Sequence, residues 1–208
     1  MGTMIEHSDY VPPSDGVILY HNEHELAPPL DEDLLAPLMA WRDRCRAAGL
    51  IGVDDEGIGY GNISVRVGEG FVISGTQTGA VERLGPEGYA LVREAEIEWG
   101  VVRSGGPIAP SSEALTHAMF YRIDAAIGAV IHFHHRTLWE RLKREAPTSA
   151  DGVGYGTPAM AAEVARLWHA SDLPRRRVMA MAGHDGGAIV IGGDLDEAGA
   201  RALALIGE

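Results

Sequence analysis

Residues 127–135 read Ile127-Gly128-Ala129-Val130-Ile131-His132-Phe133-His134-His135, an apolar run closed by three histidines. The run is too short for a helix and reads as a buried strand. Side chains alternate across a strand, so His132 and His134 share one face while Phe133 and His135 point the other way. Two imidazoles at that spacing can converge on one divalent ion at ~2.0–2.1 Å. The plain alternative is a strand end whose polar side chains bond to backbone or water. That alternative suits a lone histidine, whereas His-x-His closing a buried strand favours metal ligation.

The chain around this strand has 208 residues, enough for one domain with a substantial core. Hydrophobic residues make up 46% and there are 27 glycines, which points to a globular, loop-rich α/β protein. A formal charge of −13 excludes a nucleic-acid or anionic-membrane partner, since either needs a basic face. An anionic substrate would then need a local positive site, such as a metal or a helix N-terminus. The single cysteine, Cys45, excludes an internal disulfide and fits a reducing cytoplasm. No apolar run is long enough to span a membrane, no secretory signal opens the chain, and Glu6 stands where N-myristoylation requires Ser or Thr.

Residues 1–30 read as an irregular arm with Pro12, Pro13, Pro28 and Pro29; its His7, His21 and His24 have no ligand spacing. Asp33 is read as the cap of a helix carrying Leu34, Leu38, Trp41 and Cys45, with Pro37 in its first turn and Gly49 as its stop. Residues 63–67 alternate strictly and turn at Gly68-Glu69-Gly70 into Phe71-Val72-Ile73, a hairpin. Asn62 precedes it, where glycines let the backbone approach something closely. The Ser74-Gly75-Thr76-Gln77-Thr78-Gly79 loop can cradle an anion with N–H groups and hydroxyls, or be an ordinary polar turn.

Ile97–Arg103 reads as a strand. Pro110-Ser111-Ser112-Glu113 then opens a helix with Leu115, Met119 and Ile123. The serines are caps first, and at a positive helix end they also suit a phosphate. Glu113 is favoured there by the helix dipole, while burial beside Ile131 and Phe133 would oppose ionisation. After the histidines come an amphipathic stretch, Leu138–Ala146, and a helix capped by Thr157 with Pro158 at its first position. Residues 178–182 and 188–191 read as strands, and the turn between them presents His184, a natural third ligand arriving from another strand. Asp194 and Glu197 form a capping-box-like start to the last helix.

Taken together, Gly61-Asn62-Ile63-Ser64, the Ser74–Gly79 loop, Pro110-Ser111-Ser112-Glu113 and His132-Phe133-His134, in that order and with His184 as a fifth match, resemble the class II aldolase/adducin family. The resemblance runs from about residue 33 to 200. It implies one domain over residues 31–208, a three-layer α/β/α sandwich with a mixed, largely antiparallel central sheet. It also implies a divalent metal, usually zinc, held by His132, His134 and His184. The substrate's phosphate would lie against Asn62, Thr78, Gly79, Ser111 and Ser112, and Glu113 would transfer the proton. Assembly into cyclic homotetramers follows from the same resemblance. The family's C-terminal tail with a catalytic tyrosine has no counterpart in the sequence.

Three neutral imidazoles leave an ion its full charge and an open position, from which a keto-hydroxy pair can be chelated and an enediolate stabilised. The expected function is metal-dependent retro-aldol cleavage of a small hydroxy-carbonyl compound, a sugar phosphate by preference. Epimerisation or dehydration at the same centre, and a non-catalytic adducin-like interaction domain, are the alternatives.

Overall fold

The computed structural model describes residues 16–207. In chain order it contains β1 (His21–Leu26), α1 (Glu32–Ala47), β2 (Gly52–Val53), β3 (Gly59–Tyr60), β4 (Asn62–Val67), β5 (Gly70–Ser74), β6 (Tyr89–Glu96) and β7 (Val101–Gly106). There follow α2 (Ala114–Ile123), β8 (Ala129–His134), α3 (Arg136–Glu145), α4 (Pro158–Ala170), α5 (Leu173–Arg176), β9 (Val178–Ala180), β10 (Gly187–Gly192) and α6 (Leu195–Ile206). Eight strands form one sheet in the order β1-β7-β6-β5-β4-β8-β10-β9. Only β1 and β7 run parallel; every other neighbouring pair in that sheet is antiparallel.

Strand alternation divides the core in two. On one face Phe71, Ile73, Val130, Ile189 and Ile191 pack against Leu115, Phe120, Met160 and Val164 of α2 and α4. On the other, Ile63, Val72, Ile131, Phe133 and Val190 pack against Leu38 and Trp41 of α1, Leu138 and Leu142 of α3, and Ala198 of α6. The result is the expected three-layer α/β/α sandwich around a mixed, largely antiparallel sheet. β8 lies between β4 and β10 and is covered on both faces, which is why its sequence is a continuous apolar run up to His132.

Several local readings change. Residues 21–26, expected to be irregular, form the edge strand β1. Its pairing to β7 comes from far along the chain, and Arg103 to Glu23 (2.7 Å) and Arg93 to Glu25 (3.1 Å) tie it laterally. The expectations for residues 1–15, His7 among them, lie outside the described residues. The cap of α1 is Asp31, not Asp33; its carboxylate accepts the Asp33 N–H at 2.9 Å. Counting from that cap, Leu35 is buried and Leu34 exposed, and Pro37 lies inside the helix beyond its first turn. Ile97–Trp99 is a short 3₁₀ turn ended by Gly100 at φ +64°, so the strand begins at Val101. β6 was not foreseen, because Arg93, Glu94 and Glu96 interrupt its apolar pattern. Capping of α4 by Thr157 and of α6 by Asp194 is as expected, with Glu197 reaching back to the Gly193 N–H at 2.7 Å. Among the described residues no helix is long and apolar enough to cross a membrane.

α6 lies against α1 through Gly199, where an added Cβ would come within 2.1 Å of the Trp41 ring. Trp41 is fixed by its indole N–H, which donates to Asp196 at 2.7 Å, so the ring has little room to retreat. Gly199→Ala is therefore expected to lose about 1–3 kcal/mol of unfolding free energy by overpacking. Ala200→Ser, one residue on and exposed, should stay within about 0.5 kcal/mol of wild type. Denaturant melts of both variants check this, and equal midpoints would refute the packing account.

Candidate functional site

β8 delivers His132 and His134 to the α2/α4 face, and the turn between β9 and β10 brings His184 to the same place. The His132 and His134 Nε2 atoms are 3.1 Å apart. Ring centroids lie 5.0 Å apart for His132–His134, 5.0 Å for His132–His184 and 4.5 Å for His134–His184. One nitrogen from each ring can be chosen so that all three lie within 4.8 Å of one another. A tetrahedral ion with nitrogen ligands at ~2.0–2.1 Å requires nitrogens ~3.3 Å apart, close to the His132–His134 separation. The His132 Nδ1 lies 3.2 Å from the Ala188 carbonyl; an N–H donated there leaves Nε2 as a bare acceptor facing the cluster. The donor set fits a divalent cation that prefers nitrogen.

Glu113 completes the cluster from the N-cap position of α2. Its carboxylate is buried, and Oε1 lies 3.5 Å from His184 Nδ1. Burial pushes its pKa up, but the flanking His184 and His132 rings and Thr116 outweigh that and hold it below the ordinary carboxylate value. Burial drives His132 far below the ordinary imidazole value, with Glu113 opposing. At neutral pH the cluster thus holds an ionised carboxylate beside a neutral imidazole. Ile131 and Phe133 do not bury Glu113 as anticipated; they belong to the opposite face of the sheet.

One pocket is lined by the three histidines, Glu113, Asn62, Thr78, Gly79, Ser111 and Ser112, so the residues that the family resemblance implies for metal, proton transfer and phosphate lie around the same space. Asn62 stands opposite His132 in the β4–β8 register, with its Oδ1 buried and without a hydrogen bond among the described residues. Gly61, at φ +76°, is where the backbone passes Leu50 and Ile51; a Cβ there would meet the Leu50 carbonyl at 2.9 Å. The Ser74–Gly79 loop is anchored by α1: Arg42 donates to the Thr78 carbonyl at 2.7 Å and Arg46 to the Gly79 carbonyl at 3.0 Å. Its Gly75 and Thr76 N–H groups are used on Gly88 and Ala109 carbonyls. Ser111 accepts the Glu113 N–H at 3.3 Å, and Tyr20 donates to the Ser111 carbonyl at 2.9 Å.

Sequence reasoning assigned no role to four residues here, although Ser64 belongs to the Gly61–Ser64 motif. Tyr60 stacks on His134 (centroids 5.1 Å, 25°) and Tyr155 on His184 (4.7 Å, 27°). Ser64 and His117 tie β4 to α2: the Ser64 hydroxyl lies 2.7 Å from His117 Nδ1 and 2.7 Å from the Tyr121 hydroxyl. The last link could have been found, because Ser64 shares a face with Asn62 and His117 lies one turn after Glu113. The two stacked tyrosines had no local signal.

The family model for the Class II Aldolase and Adducin N-terminal domain matches residues 45–206, and the chain belongs to that family. Among solved structures it is similar to L-fuculose-1-phosphate aldolase from Thermus thermophilus, with 24% identity, TM-score 0.58 and coverage of 84% of this chain and 87% of that one. A sugar-phosphate aldolase from Thermotoga maritima has 15% identity and TM-score 0.61, with 83% and 90% covered. YgbL from Escherichia coli, described as a candidate aldolase/epimerase/decarboxylase, has 19% identity and TM-score 0.60, with 84% and 85% covered. At these identities the likeness is one of fold. No curated protein sequence matches the chain.

Burial lowers the His117 pKa to about 3. The unfolded chain, with an ordinary value near ~6.5, binds more protons between those limits. The stability due to neutral His117 is therefore complete above pH ~6.5 and is lost as pH falls toward 3. His117→Gln lacks this titration, so its stability should fall less steeply with acid, by up to about 1.4 kcal/mol per pH unit. Urea melts between pH 7 and 4 check this; parallel wild-type and variant slopes would contradict it.

Proposed function

We propose that this protein is a metal-dependent lyase that cleaves a C–C bond of a small hydroxy-carbonyl compound, a sugar phosphate by preference, through retro-aldol chemistry. The observation that carries the reading is the buried Glu113 carboxylate 3.5 Å from His184, inside a three-histidine cluster that lines the same pocket as Asn62, Thr78, Gly79, Ser111 and Ser112. A divalent ion, zinc for preference, held by His132, His134 and His184, would supply fixed positive charge where negative charge develops on the carbonyl oxygen. Asn62, Thr78, Gly79 and the two serines hold the remote phosphate, so that binding fixes the scissile bond against Glu113. Glu113, ionised at rest, takes the β-hydroxyl proton as the C–C bond breaks; the aldehyde leaves and the electron pair remains on the other fragment as an enediolate. Glu113 handles the proton that returns to that carbon.

Epimerisation or dehydration would use the same residues, and product analysis separates them from cleavage. An adducin-like interaction role would not need the histidines and Glu113 in one cluster, so this clustering favours an enzyme. Family resemblance supports a cyclic homotetramer, and the one cysteine, buried Cys45, supports a cytoplasmic setting.

Elemental analysis of protein purified without chelator should find about one divalent ion per chain, and His134→Ala should lose it. Wild-type protein that cannot be loaded would end the lyase reading. Glu113→Gln should keep the fold and the ion while lowering turnover by about two to four orders of magnitude. A variant that melts early yet turns over normally would remove Glu113 from the proton-transfer role. Light scattering at micromolar concentration should give about four chains per particle, and a monomer would contradict the assembly.

A further inference from the structure

We infer that Tyr155 is a positioning residue that holds the His184 imidazole in ligating orientation, by clamping it in a three-ring stack with His132. The inference rests on the metal-centre reading and adds a residue to it. Two rings stack on His184: Tyr155 at 4.7 Å and 27°, and His132 at 5.0 Å and 23°.

The other two ligands stand on firmer backbone. His132 and His134 project from β8, hydrogen-bonded on both edges, and His132 has the Ala188 carbonyl behind its Nδ1. His184 sits in a turn, held along the backbone by its N–H to Met181 (3.2 Å) and by the Gly187 N–H to its carbonyl (2.8 Å). The ring direction is then set by what the ring itself meets, Glu113 at its Nδ1 edge (3.5 Å) and the Tyr155 and His132 rings stacked on it.

The sequence around Tyr155 is built for close approach. Gly156, at φ +60°, has no room for a Cβ, which would come 2.0 Å from the Ser112 carbonyl. Gly183 presses on the other side, where a Cβ would meet the Val153 carbonyl at 2.5 Å. These two contacts wedge the segment carrying Tyr155 between the turn that presents Ser112-Glu113 and the turn that presents His184. Tyr155 is buried, and its hydroxyl accepts the Val17 N–H at 3.3 Å. The ring thereby stands against His184, and the hydroxyl joins it to the N-terminal segment.

The ring and the hydroxyl can be separated in the full-length protein. Metal-free wild type, Tyr155→Phe, Tyr155→Met and Tyr155→Leu are titrated with Zn²⁺ against a chromophoric chelator, and the melting temperature of each metal-free form is measured alongside. Tyr155→Phe keeps the stack and should bind Zn²⁺ within about threefold of wild type. Tyr155→Met fills the space without a ring, and Tyr155→Leu leaves it smaller; both should bind about 10–100-fold more weakly. Should the Leu variant not fold, the Phe–Met pair carries the comparison. Met binding as tightly as wild type, with only its melting temperature lowered, would make Tyr155 a packing residue and overturn the inference. Loss of affinity in Tyr155→Phe equal to that in Tyr155→Met would transfer the effect to the hydroxyl and overturn it too. A wild type that takes up no Zn²⁺ would overturn the metal-centre reading itself, an outcome distinct from either.

Discussion

Glu113, His132 and His184 are buried together at one end of the sheet, and the structure is arranged around that contact. Taking an ionised carboxylate out of water is costly unless positive charge or donated hydrogen bonds replace the solvent. Here the flanking His184, 3.5 Å from the carboxylate, together with His132 and Thr116, does so and holds Glu113 ionised. The ionised carboxylate and three imidazoles turned into one pocket form a donor set for a cation. A divalent cation held there would offset the carboxylate's charge, and in a protein of charge −13 it would give an anionic substrate a local positive site.

The framework fixes the cluster from three sides. Antiparallel register aligns Asn62 on β4, His132 on β8 and Ile189 on β10 in one row across the sheet. α2 is held to that row by Ser64 through His117 and Tyr121, so the helix start that presents Glu113 cannot drift from the strand that presents the histidines. From the opposite layer, Arg42 and Arg46 of α1 hold the Thr78 and Gly79 carbonyls and set the pocket rim. Each tie joins elements far apart in sequence, so the site forms only when all three layers are in place.

Much of this was readable along the chain wherever a period or a cap carries the information. Alternation gave the 62–74 hairpin and the shared face of His132 and His134. Thr157-Pro158 and Asp194 marked two helix starts at the correct residues. Asp31, not the expected Asp33, caps α1; the two are chemically alike and only backbone angles separate them. β6 and β1 were hidden for another reason. Their strand character comes from neighbours in the sheet: β1 is polar and mostly exposed, and in β6 Arg93, Glu94 and Glu96 cut short the apolar start at Tyr89, Ala90 and Val92.

By itself the sequence determined which side chains bear the chemistry and which of them share a face. Two-residue spacing on an apolar strand and a Pro-Ser-Ser-Glu helix start are local facts, fixed by backbone geometry before any packing. Only the tertiary structure decided that His184 reaches the pair on β8, that Tyr60 and Tyr155 stack on two of the rings, and that Gly61, Gly156 and Gly183 mark close approaches of distant backbone. Those contacts depend on sheet order and on the absence of a side chain opposite a carbonyl. Neither leaves a periodic trace in the sequence, because each joins segments that meet only after the sheet has formed.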